Sequence, residues 1–318
     1  MHRRLPGARR SLVDLGCALS IFQRVRLGAA GLAAVFAMTL TVATGAARAE
    51  SPPRRLTFDS RYRPFQWPDA VQTGVTLGAY AYLEFGMDYP DEPRWKGPIL
   101  FDAAARDVFR AESADGRNAA AVVSDVTWYV PMLLPWLEGI AVPLFTDDWN
   151  FKVTWELTAL NAQAVSVVAL LTRAGHKLVA RERPDVEPCE TDRNYDNTCL
   201  LGSYASFPGG HTSAAMVGAG LSCAHHTYLP LYGGGAADLT VCIAATAVGT
   251  ASGFARLAAD RHYATDVITG ALLGWGVGFG MPVLLHYRWW GSASAQQAWT
   301  ITPWVTGESL GIGGLGIW

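Results

Sequence analysis

Charge is what this chain of 318 residues has least of. Only 16% of its side chains are Asp, Glu, Lys or Arg, and 25 basic residues against 27 acidic ones leave a net charge of −2. A chain so nearly neutral has no electrostatic footprint for nucleic acid, which is not expected as a partner. Cysteine is scarce as well, at five residues, and none has the CxxC spacing of a zinc site, so no metal centre is expected. No internal repeat is present.

Half of the residues are apolar, enough to bury a large core in one or two domains. Gly and Ala abound and the long apolar runs read as helices, so the expected fold class is all-α, a helical bundle. The first 26 positions are crowded with Arg, an apolar run follows from Leu27 to Thr44, and Ala47-Arg48-Ala49 gives a small-x-small cleavage pattern. Residues 1–49 therefore read as a signal peptide and the protein as exported, to a periplasm or cell envelope; an uncleaved membrane anchor is the alternative. Cys17 would leave with the leader. The remaining Cys189, Cys199, Cys223 and Cys242 suggest two disulfides in an oxidising compartment, with three connectivities, of which neighbour pairing is the simplest.

Four segments follow from the pattern: the leader, a lead-in with peripheral helices at 50–118, the bundle at 119–290 and a β-like tail at 291–318. Helices are expected at Ala70–Phe85, Asp102–Ala111, Ala119–Leu144 (bent or interrupted by Pro131 and Pro135), Phe151–Val179, Gly209–His225, Ala236–Arg256 and His262–Tyr287. Residues 181–207 read as a polar loop stapled by the first cysteine pair. Its acidic residues Asp185, Glu187, Glu190, Asp192 and Asp196 are expected to be solvated. His225 and His226 read as packing histidines, and Glu156 and Asn161 as satisfied buried polar groups. The tail suggests a hairpin or edge ribbon.

Three polar clusters interrupt the apolar helices. One runs from His176 to Pro184, another from Ser206 to Thr212, and the third from Ala255 to Asp266. Following the helices up and down places all three at one end of the bundle. Cationic groups converging there describe an anion site. His262 and Asp266 are four apart, so on a helix the carboxylate is expected to hold one imidazole nitrogen and leave the other for an electrophile.

The chain resembles the phosphatidic acid phosphatase type 2 and vanadium haloperoxidase superfamily, whose ordered motifs are K-x6-R-P, P-S-G-H and S-R-x5-H-x3-D. Here they read His176-x6-Arg183-Pro184, Pro208-Gly209-Gly210-His211 and Ala255-Arg256-x5-His262-x3-Asp266. The resemblance spans roughly residues 119 to 287. It implies that His262 is the nucleophile forming a phosphohistidine, Asp266 its orienting carboxylate, and His211 the general acid. Arg183 and Arg256 would hold the non-bridging oxygens, with the backbone N–H groups of Gly209 and Gly210 completing the cradle. Phosphoryl transfer asks mainly for positioning and charge stabilisation, and this set offers both without a metal or other cofactor.

The lysine position is His176, with Lys177 one residue on, and Gly209 and Ala255 replace two serines. Together these departures should weaken oxyanion binding by about 1–3 kcal/mol. Lys177 is the other candidate phosphate ligand, which a local helix distortion would have to bring round, since a one-residue step turns it about 100° off the helix face. His176 is therefore expected to act as a protonated phosphate ligand that makes activity more acid-dependent. The implied function is an exported, metal-independent phosphatase acting on a lipid phosphate, a diphosphate or a small phosphoester. The alternatives are a vanadate-dependent haloperoxidase and a non-catalytic phosphate-binding envelope protein.

Members of the superfamily are either multi-span membrane enzymes or soluble exported ones. Ala119–Leu144 and Val267–Leu285 are long enough to span. The 13 residues from His211 to Cys223 reach only about 20 Å, against a hydrocarbon core of about 30 Å. If both cysteine pairs are oxidised, both ends face an oxidising space. The expectation is an exported bundle with a membrane surface as a candidate partner; the oligomeric state is left open.

Overall fold

The computed structural model describes residues 56–58, 62–196, 199, 204–288, 299–306 and 309–316. The expected signal peptide at 1–49 lies outside the described residues, as do 50–55 of the lead-in and 291–298 of the tail. The helices are α1 (Trp67–Phe85), α2 (Asp102–Phe109), α3 (Ala114–Thr127), α4 (Tyr129–Phe145), α5 (Phe151–Ala174), α6 (Val186–Thr191), α7 (Gly210–Tyr228), α8 (Ala236–Ala258) and α9 (Ala264–Pro282). Single π-helical turns extend α5 over Gly175–Val179 and α9 over Val283–Tyr287. The tail is an antiparallel hairpin of β1 (Trp299–Thr306) and β2 (Ser309–Gly316), with Thr306 opposite Ser309.

One expected interruption is present and two helix boundaries differ from the sequence reading, each for a local reason. The expected helix Ala119–Leu144 divides at Trp128. Pro131 has no N–H to give the Thr127 carbonyl, so the ladder is interrupted there. The last helix begins at Ala264 rather than His262, because Tyr263 is an extended N-cap whose N–H donates to the Asp266 carboxylate at 2.9 Å. Helix α7 runs 19 residues to Tyr228, about 28 Å of rise. That length is close to a hydrocarbon core, so shortness does not keep this helix from crossing a bilayer.

Helix α7 is buried over most of its length and lies against α9 with little side chain between them. Gly270, Gly274 and Gly278 recur every four residues, so they share one face of α9. A Cβ at Gly274 or Gly278 would fall on the carbonyl oxygen of Ser213 or Val217, and one at Gly270 would lie 2.6 Å from the Gly209 oxygen. Glycine here is a condition of the close approach. At Gly276, on the opposite side, a Cβ would meet nothing within 4 Å.

The end of the bundle away from the three polar clusters is closed by aromatic rings and paired polar groups. Tyr228 and Tyr287 stack at 4.9 Å, and Tyr62 from the lead-in meets both edge-on. His225 lies 2.8 Å from both the Tyr287 hydroxyl and the Asn161 carbonyl oxygen. His226 sits between Asp238 at 2.6 Å and Glu138 at 3.2 Å. Glu156 accepts from the Phe65 N–H at 2.8 Å. These groups are packed and satisfied, as the sequence suggested.

Cys189 pairs with Cys199 and Cys223 with Cys242. The first bridge is near the polar clusters. Cys223 lies 13 residues along α7 from Gly210, about 20 Å toward the other end. Four stretches among the described residues are long and apolar enough to cross a membrane: Ala114–Phe145, Phe151–Val179, Ala236–Ala258 and Ala264–Tyr287. Those helices and the two bridges are compatible with a membrane or envelope location.

Replacing Gly274 or Gly278 with Ala should lower stability by about 1–3 kcal/mol through overpacking against the α7 backbone. Gly276→Ala should be neutral or stabilising by up to about 1 kcal/mol, as in an exposed helix interior. Chemical denaturation of the three variants checks this, and equal effects at 274 and 276 would contradict it.

Candidate functional site

The C-terminal end of α5, the loop after it, the start of α7 and the turn between α8 and α9 meet around a cleft of about 510 Å³. His176, Arg183, Gly210, His211 and His262 line it. These five come from all three clusters singled out in the sequence. Arg256 and Asp266 stand behind the wall, and Lys177 and Gly209 point their polar groups elsewhere.

His262 is buried in the turn before α9, and its Nδ1 lies 2.7 Å from the Ser206 carbonyl oxygen. A carbonyl only accepts, so Nδ1 carries the proton and Nε2 has the lone pair. Burial, then the nearby Arg256 and Arg183 charges, holds its pKa well below 6.5. The imidazole is neutral at neutral pH.

Asp266 does not take the role expected of it. Its carboxylate accepts from Arg181 at 2.6 Å, from the Ser206 hydroxyl at 2.7 Å and from the Tyr263 N–H. The helix begins after His262, so the i,i+4 geometry that would pair the two side chains is not available. Asp266 instead acts on His262 through Ser206, gripping the hydroxyl of the residue whose carbonyl holds the ring. Burial pushes its pKa up to about 6 against the pull of Arg181, leaving it ionised at neutral pH.

His211 opens α7, and its Nε2 is 3.0 Å from Asp125 Oδ1. Arg256 donates to the same oxygen at 3.1 Å and to the Ser124 hydroxyl at 3.1 Å. Asp125 therefore bridges the His of one cluster and the Arg of another. Burial lowers the His211 pKa below 6.5, with Asp125 opposing and Arg256 adding to the fall. Arg256 is lowered to about 9 by burial and by Arg183, and stays cationic at neutral pH.

Arg183 is the exception among these cations. None of the described residues hydrogen-bonds or ion-pairs with its guanidinium, and its Nε is buried. Burial lowers its pKa against the pull of the Asp185 charge, and Arg261 lowers it further. A guanidinium desolvated without a partner is costly, and facing a cleft it is a ready anion ligand.

Two expectations for phosphate ligands change. His176 is buried, its Nε2 donates to the Pro208 carbonyl at 2.9 Å, and burial with neighbouring cations lowers its pKa to about 4. It is neutral at neutral pH and bolts α5 to the start of α7, so it does not replace the motif lysine as a cation. Lys177 turns to the other side, donating to the Met87 carbonyl at 2.6 Å and lying 3.8 Å over the Tyr89 ring. The Gly209 N–H donates to the Asp266 carbonyl at 2.9 Å, so of the two expected amides only Gly210 lines the cleft.

Of the five acidic residues expected to be solvated in the stapled loop, Glu187, Glu190 and Asp192 are exposed and two are not. Asp185 and Asp196 are buried, and both pair with Arg261, the residue before His262. Arg106 makes two bonds of 2.7 Å to Asp260, and Tyr195 of the loop donates to that carboxylate at 2.6 Å. Arg181 is the deepest of the supports. Fully buried, it lies 3.9 Å from the Trp95 ring and 4.0 Å from the Tyr263 ring, and pairs with Asp102 and Asp266.

Sequence reasoning missed Asp125, Ser206 and Arg181. Asp125 is a lone carboxylate in an apolar run, which is a usable signal. Ser206 contributes a backbone carbonyl, which no side-chain pattern encodes. Among the described residues, no group of three His, Cys, Asp or Glu side chains converges as a metal site would need.

An all-helical bundle with imidazoles and guanidiniums gathered at one cleft defines a class of oxyanion-binding protein. Residues 156–290 match the family model of the PAP2 superfamily, the superfamily that the sequence motifs resemble. No curated protein and no solved structure matches the chain. The family supports a phosphatase-type activity, a hydrolase acting on phosphorylated small molecules or lipids.

Asp125→Asn removes the negative charge that favours protonated His211, so the His211 titration midpoint should move further down in pH. NMR titration of the ring checks this; an unchanged or higher midpoint would show that Asp125 does not set it.

Proposed function

We propose that the protein is a metal-independent phosphatase that works through a phosphohistidine on His262. The observation that carries this reading is the partnerless guanidinium of Arg183 beside a neutral imidazole whose Nε2 lone pair is free of the Ser206 bond. Arg183 and the Gly210 N–H at the head of α7 bind the non-bridging oxygens, and Arg256, paired with Asp125 behind the wall, adds positive charge that favours the transition state. His262 Nε2 attacks phosphorus as the ester P–O bond breaks, while Nδ1 keeps its proton on the Ser206 carbonyl. Protonated His211 gives its proton to the leaving oxygen. Neutral His211 then takes a proton from water as that water attacks phosphorus. The P–N bond breaks, and inorganic phosphate and neutral His262 are left.

Beyond the phosphoryl position the cleft is lined by Met132, Val165, Val168 and Val217. That apolar trough favours an amphiphilic phosphoester over a fully polar one. Neutral His176 and the averted Lys177 leave no cation at the motif lysine's place, which counts against stable vanadate binding and so against the haloperoxidase reading. The bridges at opposite ends support an exported bundle with both ends in an oxidising space, resting against a membrane rather than crossing it.

His262→Ala should abolish release of phosphate from p-nitrophenyl phosphate, and a rapid acid-sparing quench of the wild type should trap label on His262. Binding of phosphate with no turnover would instead mark a non-catalytic relative. The acid His211 must be protonated and the nucleophile His262 must not. With both pKa values lowered, kcat/KM should peak below pH 6.5, falling as pH rises through the His211 value and again as His262 protonates. A peak at alkaline pH would reverse these assignments.

A further inference from the structure

The cleft wall carries one more cation that no motif requires. Arg173 lies three residues before His176 on α5, about 4.5 Å nearer the apolar end of the cleft. Its Nε is paired with Glu84, and one Nη donates to the Tyr89 hydroxyl at 3.0 Å. Tyr80 and Tyr89 line the cleft beside it. Glu84 and Tyr80 belong to α1 and Tyr89 to the segment after it, so this lip lies outside the matched segment 156–290. Arginine has five N–H donors, more than these contacts use.

The lip is built as a support for Arg173. Tyr89 is held from beneath by Lys177, whose ammonium lies over its ring and whose Nζ is bound to the Met87 carbonyl. The averted lysine thus fixes the tyrosine that fixes the arginine. Only the acceptor Glu84 is anionic among the groups paired with Arg173, and Glu84 is not among the residues that line the cleft. What remains is a guanidinium with unused N–H donors on the cleft wall, about one helical turn from His176.

A monoester places nothing anionic there, since its carbon chain begins at the leaving oxygen. A diphosphate places its second phosphate there. We propose that Arg173, with the hydroxyls of Tyr80 and Tyr89, forms a second anion subsite that makes the enzyme prefer monoesters of diphosphate to monoesters of phosphate. The proposal rests on the phosphatase reading above. In the favoured step His262 Nε2 bonds to the terminal phosphorus and the bridging P–O bond breaks. The electron pair goes to the bridging oxygen, which leaves as part of a phosphate monoester held by Arg173. Water then releases inorganic phosphate from the histidine, so one diphosphate ester and one water give one monoester and one phosphate.

The test compares geranyl diphosphate with geranyl phosphate, which share one apolar chain, on the wild type, Arg173→Gln and Glu84→Gln/Arg173→Gln. The double variant removes both charges, so a folding defect from an unpaired Glu84 is separated from loss of the subsite. The wild type should favour the diphosphate in kcat/KM. Both variants should lose at least about tenfold more on the diphosphate than on the monophosphate, the scale of a charge-assisted contact. Equal losses on the two esters, or a wild type without the preference, would overturn the subsite while leaving the phosphatase reading intact. Turnover of neither ester by the wild type would overturn both.

Discussion

Cations repel, and this protein gathers the guanidiniums of Arg183, Arg256 and Arg261 at one end of a bundle, beside the imidazoles of His211 and His262. Burial first, and the neighbouring cations after it, lower the pKa values of Arg183, Arg256, His211 and His262. Carboxylates placed around the cluster make it tolerable. Asp185 and Asp196 take Arg261, and Asp125 takes both Arg256 and His211. Arg183 alone receives no such partner among the described residues. The arrangement leaves one unbalanced guanidinium where a tetrahedral anion would complete the set, which is the electrostatic logic of a preorganised phosphoryl-transfer site.

Geometry is set by backbone as much as by charge. The glycine face of α9 lets α7 come close enough for the Gly209 N–H to reach the Asp266 carbonyl at 2.9 Å. That bond ties the start of one motif to the next. Arg181, clamped between the Trp95 and Tyr263 rings, links Asp102 near the start of the described chain to Asp266. The helices before residue 119 are therefore part of the site's support rather than a peripheral lead-in. Their contribution reaches the His262 imidazole through Asp266 and then Ser206.

Much of this was legible in the sequence because it rests on local periodicity and motif order. Long apolar runs gave the helices, and the alternation of helix directions placed the polar clusters at one end. What escaped depends on contacts between distant segments or on backbone atoms. His262 and Asp266 at i,i+4 suggested a direct bond, but Tyr263 caps the helix between them and the acceptor for the imidazole is the Ser206 carbonyl. His176 stands where a lysine would be cationic, yet its burial against Pro208 leaves it neutral. Asp185 and Asp196 read as loop charges because Arg261, their partner, is more than sixty residues away in sequence.

The central claim is that these side chains share one tetrahedral anion. A crystal structure of the protein soaked with tungstate tests it most directly, since the heavy atom reports its own position. The account predicts the metal centre within bonding reach of His262 Nε2, with its oxygens on Arg183 and the Gly210 N–H. Tungstate bound elsewhere, with Arg183 turned out of the cleft, would contradict it.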